Sequence, residues 1–190
     1  TIALRYSCTR PQFGQTPIIE YITQQRRIIP ALATTYAMHL SMLKCKNIGV
    51  KKNGGGNAAK QIHVLSSGLK AAATWHRVRI LQECRECCGG MGFLAANKIG
   101  PMLNDMNVDV TFEGDNTVMM QQVAKSLIDR SMSGHLDMPV VDYQNLGLGC
   151  IGNLLSWRCT CLTRAAAMEM QKSPKQSAYE SNMDLIVDLG

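Results

Sequence analysis

The chain has 190 residues, 46% of them hydrophobic and 18% charged, which suffices for one substantial core or for one domain and part of another. Its net charge of +6 raises nucleic acid as a partner, but the basic residues are scattered, from Arg26-Arg27 through Lys51-Lys52 to Arg85, with few aromatics between them. That is the pattern of solvated helix faces, so no nucleic-acid partner is expected, and no apolar run is long enough to span a bilayer.

The first residues, Thr1 to Tyr6, read as part of a helix, and the chain stops at Gly190 after an amphipathic stretch; both ends read as cuts, so a fragment is expected. From Ile29 the apolar positions Leu32, Ala33, Tyr36, Leu40 and Leu43 form a helical stripe. Pro30 near its start means either that the helix begins there or that an earlier turn is kinked at that point. A break at Asn47 to Asn57, centred on Lys51-Lys52-Asn53-Gly54-Gly55-Gly56, reads as an exposed loop. A long helix follows, with Ile62, Leu65, Leu69, Ala72, Ala73, His76, Ile80, Leu81, Cys84 and Cys88 on one face, where His76 is expected to be a satisfied core histidine. It ends at Gly89-Gly90.

Residues 93–112 form a connection with a short helical piece, Ile99 to Asn104. Val118, Met119, Gln122, Val123, Ser126 and Leu127 mark another helix, and Gly134 to Gly149 a linker carrying Pro139. Leu154, Leu155, Arg158, Leu162 and Ala165 to Met168 begin a further helix, and a last one is expected over Ser177 to Leu189. No strand pattern is convincing. The fold class is all-α, an antiparallel bundle of long helices over 1–134 with a linker and partial second helical domain over 135–190.

Eight cysteines invite a metal or disulfide reading. Cys84, Cys87 and Cys88 follow helical spacing, Cys159 and Cys161 lie far downstream, and no pair of CxxC motifs exists. Buried apolar thiols in a reducing compartment are expected, and no metal site.

Four local signals carry chemistry. In Arg10-Pro11-Gln12-Phe13-Gly14, arginine offers a fixed fork of donors for phosphate oxygens, Phe13 an apolar face and Gly14 close backbone approach. Gly89-Gly90-Met91-Gly92 allows backbone to pass against a ligand. Glu113 lies between Phe112, whose ring is expected to desolvate the carboxylate and raise its proton affinity, and Gly114, which frees the backbone. Asp115 and Asn116 then supply cap chemistry for a helix starting at about Thr117, whose N-terminus favours an anion.

In their order, these segments resemble the C-terminal part of the acyl-CoA dehydrogenase and acyl-CoA oxidase superfamily. "RYSCTRPQFG" with "TPIIEYITQQRRIIPALATTYA" is similar to its flavin-contacting helix pair, and "CRECCGGMGF" with "VTFEGDNTVMMQQVAKSL" to its later flavin and catalytic segments. The resemblance covers about residues 1–130. "HVLSSGLKAAATW" and "EGDNTVMMQQ" resemble the oxidase branch.

The resemblance implies that Glu113 removes the α-proton of an acyl-CoA thioester while the β-carbon passes hydride to FAD, giving a trans-2-enoyl-CoA in fatty-acid β-oxidation. A backbone amide at the glutamate and a flavin hydroxyl would stabilise the thioester oxygen, and dioxygen would take the electrons to give hydrogen peroxide. It further implies that Arg10 and Phe13, with Gly14, contact the pyrophosphate and adenine half of FAD. That FAD would be shared across a homodimer, with Gly89 and Gly90 lining the adenine side and Thr117 a candidate contact. Ile22 and Glu86 stand where glutamine is frequent in the family, and Gln25 is the candidate substitute. Peroxisomal location follows from the same resemblance. The upstream domains that hold much of the flavin and acyl chain are not in this sequence, so the piece alone is expected to be inactive. Rival readings are an acyl-CoA dehydrogenase using an electron-transfer flavoprotein and a non-catalytic helical assembly module.

Overall fold

The computed structural model describes residues 1–51, 56–141 and 147–172. The expected Ser177–Leu189 helix and the centre of the glycine-rich loop lie outside them. Six α-helices carry the described chain: α1 (Ile2–Thr9), α2 (Ile22–Lys51), α3 (Gly56–Cys87), α4 (Ile99–Met106), α5 (Asn116–Met132) and α6 (Leu148–Lys172). All-α is therefore the fold class. One feature corrects the sequence reading: Pro11–Gln12 (β1) and Thr16–Pro17 (β2) form a short antiparallel ribbon, Pro11 opposite Pro17 and Gln12 opposite Thr16. Two-residue strands are too short to leave an alternating pattern.

α1 runs to Thr9, three residues past the expected Tyr6, and the chain turns extended at Arg10. The hydroxyls of Ser7 and Thr9 donate to the carbonyls of Ala3 (2.8 Å) and Arg5 (3.0 Å). α2 begins at Ile22 rather than at Pro30 and continues through the proline, which lacks the amide that would reach back one turn. It extends to Lys51, so the break expected from Asn47 is shorter than predicted. α4 outlasts its expected end at Asn104 by two residues, and its start is fixed by the Ile99 amide donating to Asn97 Oδ1 at 2.7 Å.

The chain divides into two compact units, Thr1–Ile62 with Leu69–Asp115, and His63–Gly68 with the chain from Asn116 on. In the first, α2 and α3 form an antiparallel hairpin. Arg27 pairs with Glu83 and Glu86, Thr35 Oγ1 lies 3.3 Å from His76 Nε2, and Gly49 faces Ile62, contacts that climb one helix while descending the other. His76 is half-buried, and burial lowers its pKa first of all. The unit's core joins Ala3, Cys87, Cys88 and Ile99, with Tyr6, Ile28, Cys84 and Met102 against them. The thiols thus pack as small apolar groups, and burial pushes Cys84, Cys87 and Cys88 up from the ordinary thiol range.

The apolar stripe on α2 is real as a helical period, yet it is exposed among the described residues. Leu32, Tyr36, Leu40 and Leu43 are 47%, 63%, 63% and 43% exposed. Periodicity reports that a face wants burial and says nothing of what buries it. Among the described residues no helix is long and apolar enough to cross a membrane.

In the second unit α5 packs on α6 through Ala124, Ile128, Ala166 and Ala167, flanked by Leu162 and Met170. Alanines at three of these four positions let the backbones approach closely, leaving Ile128 as the large side chain of the contact. Gly68 serves the same purpose for α3, since a Cβ there would stand 3.4 Å from Val123 Cγ2. Ile128→Ala is expected to cost about 2–5 kcal/mol by cavity formation, read as a lowered midpoint in urea at unchanged slope.

Candidate functional site

The first unit holds a cleft of about 330 Å³. Its walls come from the end of α1, the ribbon, the start of α2 and the turn after α3, and its lining includes Arg10, Phe13, Gly89 and Gly90. Four of the residues predicted to meet a cofactor are therefore brought together from positions some eighty apart in the chain.

Each is placed by local chemistry. Arg10 stands four residues after Tyr6, and its Nη1 donates to the Tyr6 hydroxyl at 2.8 Å, which holds the guanidinium at the cleft edge. Phe13 and Gly14 make the ribbon's turn, both with positive φ (48° and 111°). Phe13 is 86% exposed, and its ring meets Tyr21 edge-on with centroids 6.2 Å apart. A phenyl ring held out of its own core by a left-handed backbone is available to a ligand. Gly14 lies at the tip of this turn and is not among the lining residues.

The floor is the turn after α3. Gly89 has φ +55°, and a Cβ added at Gly89 or Gly90 would meet nothing within 4 Å, so the backbone here is bare toward the cleft. Gly92 is different: a Cβ there would collide with the Arg85 carbonyl, so its smallness serves packing.

Gln25, the candidate amide, does not line the cleft; its neighbour Gln24 does. Gln24 Nε2 donates to Ser7 Oγ at 2.8 Å and to the Cys87 carbonyl at 3.0 Å, joining α1 and α2 to the end of α3. Consecutive helical residues point about 100° apart, and the sequence alone does not say which glutamine faces inward. The i, i+4 spacing of Tyr6 and Arg10 was a usable signal for Tyr6.

Glu86 also lines the cleft. Its carboxyl is held below the usual range by the hydrogen bond from Gln82 (2.8 Å) and then by Arg27 (2.6 Å), so it is ionised there and its charge is engaged. This answers the departure from glutamine: the carboxylate serves the α2–α3 hairpin and leaves Arg10 as the cleft's cation.

Glu113 sits elsewhere in the first unit, not among the cleft-lining residues, in a turn after a short 3-10 segment, Asn107–Val110. Its φ is +55°, and Gly114 follows at +104°. A left-handed conformation costs a non-glycine residue about 1–2 kcal/mol, and such positions persist where surroundings impose them. One imposing contact comes from Lys70 on α3, whose Nζ donates to the Gly114 carbonyl at 2.6 Å. The burial expected from Phe112 is not present among the described residues, where Glu113 is exposed and Phe112 itself is 45% exposed. α5 begins at Asn116, one residue before the predicted start, with the Asn116 side chain buried. Thr117 lies in the first turn of α5, in the second unit. Among the described residues no cluster of His, Cys, Asp and Glu is arranged to hold a metal ion.

A mainly helical fold with a cation-and-glycine cleft and an acid on a left-handed turn is the class of architecture defined so far. The family described as "Acyl-CoA oxidase, C-alpha1 domain" matches residues 1–128. Peroxisomal acyl-coenzyme A oxidase 3 of Arabidopsis thaliana is 45% identical over 139 residues, which cover 70% of this chain and 20% of the relative. Peroxisomal acyl-coenzyme A oxidase 3 of Homo sapiens is 40% identical over 142 residues, covering 67% and 20%. Among solved structures, an acyl-CoA oxidase from Lycopersicon esculentum (tomato) is 25% identical with a TM-score of 0.84, covering 99% of this chain and 34% of its own. Acyl-CoA oxidase-1 of Caenorhabditis elegans, complexed with FAD and ATP, is 22% identical with a TM-score of 0.88, covering 99% and 34%, a likeness of fold. The chain belongs to the acyl-CoA oxidase family. It spans about 20% of the length of these curated relatives.

Gly92→Ala is expected to destabilise the protein by about 1–3 kcal/mol through the collision with Arg85. Gly90→Ala, where the added methyl meets open space, is expected to leave the denaturation midpoint near that of the parent.

Proposed function

We propose that this chain supplies the catalytic base and part of the cofactor site of an FAD-dependent acyl-CoA oxidase. Glu113 would remove the α-proton of an acyl-CoA, which leaves as a trans-2-enoyl-CoA. The observation that carries this reading is the left-handed Glu113 followed by Gly114 within the segment matched to the family. Strain of this kind, held at an acid, is characteristic of sites where a group must be aimed.

The cleft fits the anionic and aromatic parts of FAD. Arg10 offers fork donors for diphosphate, Phe13 an exposed ring face, and Gly89 and Gly90 an unobstructed backbone. These four would hold the cofactor, with Gln24 and Tyr6 keeping the walls in place. Gly14 would let the ribbon turn approach, while Gln25 and Thr117 are weaker candidates because neither lines the cleft. When bound, FAD supplies the two-electron acceptor for the β-hydride and delivers the electrons to dioxygen as hydrogen peroxide. This chain's part is proton transfer at the Glu113 carboxylate, made efficient by orientation.

Two supports extend the reading. The exposed stripe Leu32, Tyr36, Leu40 and Leu43 suits a homodimer or the rest of the protein, since that much apolar surface in line calls for a partner. Relatives named as peroxisomal oxidases make the peroxisome the expected location and fatty-acid β-oxidation the process. In the same reading residues 1–134 form the flavin-contacting part and 135–190 the linker and start of a second helical domain.

In the FAD-loaded holoenzyme that contains this chain, Glu113→Gln is expected to lower peroxide production from acyl-CoA about 10²–10⁴-fold with FAD content retained. Undiminished peroxide output would remove Glu113 from the mechanism. Peroxide formed without an added electron acceptor separates the oxidase from a dehydrogenase. Purified 1–190 is expected to bind FAD weakly and turn over no acyl-CoA; turnover by it would show that the pocket is complete within this chain.

A further inference from the structure

We infer that Lys70 is a positioning residue for the base: its ammonium, donated to the Gly114 carbonyl, holds the left-handed turn that aims Glu113. The inference rests on the assignment of Glu113 as base and goes beyond it, because Lys70 lies 43 residues upstream, on α3.

The turn is anchored before Glu113. The amides of Thr111 and Phe112 both donate to the Val108 carbonyl, at 3.1 and 3.0 Å, and the Thr111 hydroxyl donates to it at 3.1 Å. Asp109 in the same segment is ion-paired with Arg77 on α3. Glu113 and Gly114 then take two consecutive positive-φ conformations, at 55° and 104°. Two such residues in a row reverse the chain, and without a restraint a glutamate relaxes to negative φ. The carbonyl of Gly114 belongs to the peptide plane just beyond both. Fixing that plane limits the rotations available to Gly114 and, through it, the direction of the Glu113 Cα–Cβ bond.

Lys70 is suited to that task. It is half-buried, at the start of the α3 stretch that belongs to the first unit, next to Ala71, which is fully buried. Its long stem lets the ammonium reach the turn from a partly buried helix position. An ammonium–carbonyl bond at 2.6 Å is short and charge-assisted, stronger than a neutral pair. Arg77, seven residues on, meets the same connection at Asp109, so α3 grips the segment at two points, before and after the base.

The test uses the FAD-loaded holoenzyme that contains this chain, with Lys70→Met, Lys70→Arg and Glu113→Gln measured in parallel. Lys70→Met keeps the stem and removes the donor. Expected is a fall of about 10²-fold in kcat and in the rate of anaerobic flavin bleaching by acyl-CoA, with KM and FAD content unchanged. Lys70→Arg, which restores a cationic donor, should recover most of the loss. Parental kcat in Lys70→Met, or an equal rise in KM with kcat unchanged, overturns the inference. If Lys70→Met does not retain FAD, Lys70→Gln, a neutral donor, replaces it. Loss of FAD in both variants assigns Lys70 to holding the fold and equally overturns the positioning role. An active Glu113→Gln variant instead sinks the assignment of the base itself.

Discussion

One side-chain amide ties together the elements that wall the cleft. Gln24 gives hydrogen bonds to Ser7 on α1 and to the last carbonyl of α3, so three helices meet at a single group. The Cys87 carbonyl is one of the orphan acceptors at a helix end, and a buried acceptor without a partner costs about as much as the hydrogen bond it lacks. The amide satisfies it and at the same time fixes where the glycine turn begins. Arg10, Phe13, Gly89 and Gly90 face one another because that joint is closed.

The acid obeys a separate constraint. Glu113 is not in the cleft, and its conformation owes nothing to Gln24. It depends on α3, through Lys70 at Gly114 and Arg77 at Asp109. One long helix thus touches both places: its middle contacts the turn that carries Glu113 and its end floors the cleft. Rigid helices are well suited to this, because a displacement at one point is transmitted along the axis rather than absorbed locally.

Much of this was legible in the sequence and some was not, for physical reasons. Helices announced themselves by period, and Gly89-Gly90 by their inability to continue one. Pro30 left the start of α2 undecided, because a proline within a long helix loses one backbone bond while the rest of the helix holds. The ribbon at Pro11–Pro17 was too short to show alternation. Gln24 and Gln25 were indistinguishable without knowing how α2 is rotated. The left-handed state of Glu113 was hidden, since nothing in a glutamate favours it and the restraint comes from Lys70 in a distant segment. The glycine beside it was the visible half of the turn. The stripe on α2 was legible as apolar, while its exposure was not, because pattern carries no information about what lies against a face.

The buried thiols acquire a meaning from the chemistry proposed. An oxidase releases hydrogen peroxide beside its own side chains, and peroxide attacks cysteine as the thiolate. Cys84, Cys87 and Cys88 are pushed up by burial, and Cys87 also borders the cleft. Kept protonated and packed against Ala3 and Ile99, they are poor targets for the product. A core that uses cysteine as an apolar filler would thereby lower its own exposure to sulfenic acid formation in an oxidase.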